Sequence, residues 1–270
     1  MSGAQRHDGR LPARKRLGQH FLHDPRVIRR LVETIDPKPD DLLVEIGGGL
    51  GALTAPLLER VRTLHVVEID ERLHAGLERL STPEHRLVLH RADALEFDFG
   101  ALASAERKLR VTGNLPYNIS TPLLFHLLEF RSAIEDMHLM LQKEVVTRMT
   151  ASPGSKDYGR LTVSLAQWLD VSRCFDVGPG AFSPPPRVWS SVVRLVPRAS
   201  PRFPVSEERR FSELVAHLFS MRRKTLARAL KGRIGEADVA ALGIDPKARP
   251  ETLAPEDFAR LAELWPETRR

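Results

Sequence analysis

Apolar positions in this chain alternate between short unbroken runs and helical spacings. Val27, Ile28, Leu31, Val32 and Ile35 share one helical face, and Pro37 and Pro39 stop it. Residues 42–46 form a short apolar strand that meets the glycine turn 47–51, and a helix follows through Leu53, Leu57 and Leu58. The same unit recurs. Strand 64–70 precedes a helix from Glu71 to Leu80, strand 86–89 leads to Asp93, and a strand from Leu109 ends at Asn114. A helix through Leu123, Leu124, Leu127 and Leu128 comes next, then strand 137–141 and a helix from about Lys143. This alternation predicts an α/β fold of Rossmann-like type, a mostly parallel central sheet with helices on both faces.

Farther on, the pattern predicts a helix near 159–170, then two irregularly spaced strands at 175–177 and 190–196 that could pair as an antiparallel hairpin on the sheet edge. A proline-bounded linker, 197–204, precedes a segment that reads as helices only. The expected organisation is therefore a basic N-terminal arm over 1–24, a main domain over 25–198 and a small all-α domain over 205–270.

Composition narrows the function classes. A chain of 270 residues with 42% hydrophobic content can bury a substantial core. No apolar run is long enough to span a membrane, and the basic first twenty residues have no apolar segment of the signal-peptide kind. Asp8 interrupts that run, which makes a mitochondrial presequence a weak reading. The single Cys174 excludes an internal disulfide and a multi-cysteine metal site, so no metal and a cytoplasmic location are expected. A formal charge of +6 points to an anionic partner.

In open parallel sheets ligands bind beyond the carboxyl ends of the strands. The glycine turn, Glu68, Asp93 and Asn114 all fall at such ends. Gly47, Gly49 and Gly51 let the backbone approach a ligand, Glu68 stands where an acid grips a ribose, and Asp93 can take an adenine amino group. Each alone has a plainer reading as a turn, a surface charge or an Asx cap. The glycine spacing, continued to Ala52, also fits a nicotinamide dinucleotide. Together the features fit S-adenosyl-L-methionine. The Asn114-Leu115-Pro116-Tyr117 stretch then offers an amide and a carbonyl to an exocyclic amine and a ring to its base.

The ordered set Lys15–Leu22, Glu45–Gly51, Val67–Asp70, Asp93-Ala94, Gly113–Ser120, Leu141–Val145, Tyr158–Leu161, Ala181–Val188 and Arg222–Leu226 resembles the ribosomal RNA adenine N6,N6-dimethyltransferases, specifically the bacterial small-subunit (16S) group. The resemblance covers nearly the whole chain. It implies S-adenosylmethionine-dependent dimethylation of two adjacent adenosines in the 3′-terminal hairpin loop of small-subunit rRNA, and a role in small-subunit biogenesis. It implies cofactor contacts from Gln19, His20, Leu22, Gly47, Gly49, Glu68, Asp93 and Asn114. Asn114 and Pro116 would accept the N6 hydrogens, with Tyr117 and Phe182 sandwiching the base. The family usually carries Asn where His20 stands and Pro where Gly48 stands. Arg222, Arg223, Lys224, Arg228 and Lys231 are expected on one helix as RNA contacts, with Lys224, Arg228 and Lys231 on a common face; Arg14, Lys15 and Arg16 are further candidates. The partner implied is small-subunit rRNA within an immature 30S particle; with no strong interface stripe in the sequence, a monomer is the default expectation. A large-subunit rRNA methyltransferase of the macrolide-resistance type and a non-catalytic assembly factor are the alternatives. A nicotinamide oxidoreductase fits least, because no hydride-transfer acid or base is visible.

Overall fold

The computed structural model describes residues 13–266. The first half of the N-terminal arm, residues 1–12, lies outside them. Chain contacts divide the described residues into two units, residues 13–143 with 174–193, and residues 144–173 with 194–266.

The first unit begins with a two-residue strand β1 (Phe21–Leu22) and helix α1 (Pro25–Ile35). Asp24 caps α1 by accepting from the Arg26 and Val27 amides, and Pro25 is tolerated at the first helical position. Then come β2 (Leu42–Ile46), α2 (Thr54–Leu58), β3 (Thr63–Val67), α3 (Glu71–Glu78), β4 (Arg86–His90), β5 (Leu109–Asn114), α4 (Ser120–Glu129) and β6 (Ile134–Gln142). Strand β3 is shorter than its sequence run. Glu68 and Asp70 turn the chain, and the Asp70 side chain caps α3.

Helices α5 (Lys143–Met149) and α6 (Arg160–Ala166), strands β7 (Leu169–Val177), β8 (Phe182–Ser183) and β9 (Ser190–Pro197) follow. The helix expected over 159–170 is thus cut short. From Leu169 the chain is extended, and β7 is far longer than the 175–177 segment that the sequence reads as a strand. The sheet order is β4-β3-β2-β5-β6-β9-β7. Strands β2, β3, β4, β5 and β6 pair in parallel. Strand β2 is buried along its whole length, as a central parallel strand must be. The core of this unit gathers Leu31 and Ile35 of α1, Leu57 of α2, Leu77 of α3, and Leu43, Leu64 and Val66 of the sheet.

One pairing was not expected. Phe21 and Leu22 pair antiparallel with Ser183 and Phe182, so the end of the arm is a strand of a second, two-stranded sheet.

The second unit holds α7 (Glu208–Ser220), α8 (Leu226–Ala229), α9 (Glu236–Ala241) and α10 (Pro255–Glu263). Its core combines Phe211, Leu214, Leu218, Leu226, Phe258 and Leu261 with Tyr158 and Val163. The Tyr158 hydroxyl donates to the Leu253 carbonyl at 2.8 Å. These contacts place residues 144–173 with the helical segment, whereas the sequence pattern assigns them to the main domain over 25–198.

The single basic helix expected across 222–231 is broken. Helix α7 ends at Ser220, residues 221–224 form turns, and α8 starts at Leu226. The first amides of α8 donate to the Ala248 and Pro246 carbonyls, each at 2.9 Å, which starts a new helix there. Lys224, Arg228 and Lys231 therefore do not share one helical face.

Candidate active site

The carboxyl ends of β2, β3, β4 and β5, together with the arm, enclose a cavity of about 380 Å³. This is the size expected of a small-molecule site. Gln19, His20, Leu22, Gly47, Gly49, Glu68, Asp93, Asn114, Pro116 and Tyr117 all line it. The structure thus brings nearly every residue of the expected site to one place.

Gly47, Gly49 and Gly51 have φ of 78°, 56° and 85°, the left-handed region where glycine alone is unstrained. The turn is latched from below: the Gly49 amide donates to Glu68 Oε2 at 3.0 Å. The other Glu68 oxygen accepts the Asp70 amide at 2.8 Å. Burial raises the Glu68 carboxyl above the ordinary carboxylate range, and the two amides oppose that shift. Each oxygen keeps a lone pair for a hydroxyl. The space a side chain at Gly48 would need is filled: a Cβ there would lie 2.7 Å from Val66 Cγ1 and 2.9 Å from Leu77 Cδ2. Glycine at 48 is thus matched by the packing beneath it.

Asp93 combines its two readings. Its Oδ1 accepts the Leu95 amide at 2.9 Å as an Asx turn, while the residue still faces the cavity. Asn114 is held by the arm: its Nδ2 donates to the His20 carbonyl at 2.9 Å. Among the described residues nothing donates to its Oδ1. A Cβ at Gly18 would meet Asn118 Oδ1 at 2.5 Å, so the arm backbone lies directly on the loop after β5. The His20 ring donates from Nδ1 to the Pro184 carbonyl at 2.7 Å, and its centroid lies 5.5 Å from that of Tyr117. The Tyr117 hydroxyl shares a 2.7 Å hydrogen bond with Ser190.

Gln19 has a mainly structural set of partners. Its Nε2 donates to Asp70 Oδ2 at 2.9 Å and its Oε1 accepts the Arg14 amide at 2.7 Å. Asp70 is fully buried, and its bonds from Arg72 keep its carboxyl well below the usual range. Arg14 reaches the same carboxylate at 3.4 Å, while Arg16 is exposed at the cavity edge.

Two expected residues are placed elsewhere. Phe182 is only 2% exposed, packs in the core and does not line the cavity. A base sandwich needs an open ring face, which Phe182 lacks; the aromatic ring beside Tyr117 is that of His20. Arg222 is engaged within the second unit by Glu251 at 2.7 Å and by the Lys156 carbonyl at 2.8 Å. Arg223, Lys224 and Arg228 are exposed.

One cavity residue went unread as a functional group. Glu45, an acidic position in the buried strand β2, lines the cavity with Oε2 buried and unpartnered. Burial pushes its carboxyl up to about 8, aided by the nearby Glu68 charge and opposed by Thr54. The carboxyl is therefore neutral at pH 7 in the free protein. Its folded value exceeds the ordinary 4.5, so its contribution to stability is full below about 4.5 and is lost as pH rises through about 8. Glu45→Gln is expected to flatten that part of the profile and raise the melting temperature at pH 8.5 relative to the parent. Thermal unfolding of both proteins across this range checks it.

The ribosomal RNA adenine dimethylase family model matches residues 10–266. The chain belongs to this family. The dimethylase is 53% identical to ribosomal RNA small subunit methyltransferase A of Nitrosococcus oceani, over 94% of this chain and 96% of that protein. The protein of the same name from Laribacter hongkongensis is 54% identical over 92% and 94%. Among solved structures, a dimethyladenosine transferase from Plasmodium falciparum is 26% identical with a TM-score of 0.74, over 90% of this chain and 96% of that one. The 23S rRNA methyltransferase ErmE is 27% identical with a TM-score of 0.70, over 91% and 99%. The fold is that of the class I methyltransferases. The dimethylase uses S-adenosylmethionine to methylate adenine in rRNA. The cavity suits this cofactor, with glycine backbone, two acids at strand ends and an unpartnered buried carboxyl that can meet an ammonium group. No helix among the described residues is long and apolar enough to cross a membrane.

Proposed function

We propose that this dimethylase modifies N6 of two adjacent adenosines in the hairpin loop near the 3′ end of small-subunit rRNA, placing two methyl groups on each. It acts as a monomer in the cytoplasm on an immature small subunit. The observation that carries the reading is the orientation of Asn114. Its amide nitrogen is committed to the His20 carbonyl, which leaves Oδ1 to accept at the cavity, next to Tyr117. The sequence relatives named for the small subunit, at 53–54% identity, favour that substrate over the large-subunit one named for ErmE at 27%.

The adenine N6 lone pair is delocalised into the ring, so the amine is a poor nucleophile. Asn114 Oδ1 accepts one N6 hydrogen and the Pro116 carbonyl accepts the other, which draws the nitrogen toward tetrahedral geometry. The Pro116 oxygen already takes the Ile119 amide at 3.2 Å and uses its second lone pair. Tyr117 stacks on the base, its ring set by Ser190. S-adenosylmethionine held in this cavity would supply the methyl group from its sulfonium, with S-adenosylhomocysteine as the leaving product. The proton leaves the alkylated nitrogen late, to solvent, so positioning and fixed dipoles do most of the work. After one methylation a single N6 hydrogen remains, and either acceptor can hold it in a rotated amine. In the cofactor half, Glu68 would hold the ribose hydroxyls, Asp93 the adenine amino group and Glu45 the ammonium, while Gln19, His20 and Leu22 would close the arm over them.

Arg223, Lys224 and Arg228 hold RNA phosphates. Reversing Arg223 and Lys224 to glutamate is expected to weaken RNA binding and lower the salt slope by about one for each phosphate no longer neutralised, with cofactor affinity unchanged. Salt titrations of RNA affinity check it. Arg222 is a poor probe, because its loss also breaks hydrogen bonds inside the unit.

The substrate form is tested by comparing kcat/KM on the isolated hairpin, on naked small-subunit rRNA and on small subunits lacking the modification. The reading expects the subunits to be preferred. Equal or better turnover of naked RNA contradicts the immature-particle part.

A further inference from the structure

Trp189 is the most exposed large apolar side chain near the site, at 54% of its free surface. Two local contacts set its position. A Cβ on Gly178 would lie 3.6 Å from the indole, so the ring rests against a bare backbone. The Trp189 carbonyl accepts the Lys143 amide at 2.8 Å. The ring carries positive charge beside it: Lys143 Nζ lies 5.8 Å from its centroid, anchored by Asp176 at 2.9 Å. Arg187, two residues earlier, is exposed. The next residue in the chain, Ser190, holds the Tyr117 hydroxyl at 2.7 Å, and Tyr117 lines the cavity. Trp189 is thus one residue from the group that fixes the base-stacking tyrosine.

We infer that Trp189 is a second stacking platform, which takes an unpaired RNA base flanking the target adenosine while Lys143 and Arg187 face its phosphates. An open aromatic face with cations beside it suits single-stranded nucleic acid, because every base has a π-face and every nucleotide a negative charge. A target base that must be splayed out of a loop leaves its neighbours unstacked, and the platform replaces the stacking they lose. The inference rests on adenosine in RNA as the substrate.

The test uses a loop-hairpin oligoribonucleotide with 2-aminopurine next to the two target adenosines. It compares the full-length parent with Trp189→Ala and Trp189→Phe. The parent is expected to quench the probe. Trp189→Ala should lose the quenching and bind the hairpin about tenfold more weakly or worse, and Trp189→Phe should recover most of both. Cofactor affinity, and kcat at saturating RNA, should be unchanged in both variants, which separates a stacking contact from an effect passed through Tyr117. Any of these results overturns the proposal: unchanged hairpin affinity in Trp189→Ala, a fall in kcat at constant KM, a loss of cofactor binding, or weakening confined to small subunits, which would make this face a protein contact. A parent that methylates small subunits without quenching the probe also overturns it. A parent that methylates no RNA removes the underlying reading instead.

Discussion

Asn114→Ala is expected to lower kcat by about 10²–10³-fold, by analogy with the loss of one oriented dipole from an oxyanion hole. The substitution removes two things together. The Oδ1 acceptor goes, and with it the pull on the N6 hydrogen that makes the amine nucleophilic. The Nδ2 donor to the His20 carbonyl goes too, and the arm loses a tether to the loop after β5. Asn114→Asp separates the two losses. It keeps an acceptor facing the amine but turns a carboxylate toward the His20 carbonyl, so arm closure weakens while hydrogen bonding to N6 survives. Single-turnover methylation of small subunits at saturating cofactor measures both. Turnover of the alanine variant within tenfold of the parent contradicts the role given to Asn114.

Gly113→Ala is expected to be nearly as damaging without touching any ligand. A Cβ at Gly113 would lie 2.4 Å from the Ile46 carbonyl oxygen and 3.3 Å from its carbon. The obstacle is backbone, at the last residue of β2 before the glycine turn, so no side chain can swing aside. Strands β2 and β5 must move apart where one carries the cofactor turn and the other carries Asn114. Overpacking of this kind costs about 1–3 kcal/mol. A shift of about 1 Å between reacting groups costs roughly 10²-fold in rate. The expected result is a lower melting temperature and a larger fractional loss of turnover than of stability. Gly76→Ala is the control, since a Cβ there meets nothing within 4 Å. Equal melting temperatures and turnover for the two variants would contradict this role for Gly113.

Features set by local pattern were legible in the sequence. Alternating strands and helices predicted the parallel sheet, and the rule that ligands gather at strand ends put the glycine turn, Glu68, Asp93 and Asn114 in one site. Features set by distant partners were not. The pairing of Phe21-Leu22 with Phe182-Ser183 joins two residues to two others far along the chain, too short a run to show periodicity. Phe182 carries a suitable ring, yet the same pairing turns it into the core. Glu45 reads as one polar letter in a strand, and only the packing around β2 shows a buried, unpartnered carboxyl. The basic run 222–231 looks helical by composition, but Arg222 is taken by Glu251, and carbonyls 246 and 248 restart the helix at Leu226. The sharpest link in the site, Asn114 to the His20 carbonyl, is a backbone contact that no residue type announces.

The reaction product itself decides the substrate and the chemistry together. The protein is incubated with methyl-labelled S-adenosylmethionine and with small or large ribosomal subunits lacking the modification, and the labelled nucleoside is identified and mapped by mass spectrometry. The expected product is N6,N6-dimethyladenosine at two adjacent loop positions of small-subunit rRNA. Label on large-subunit rRNA alone, or on any atom other than adenine N6, would contradict it.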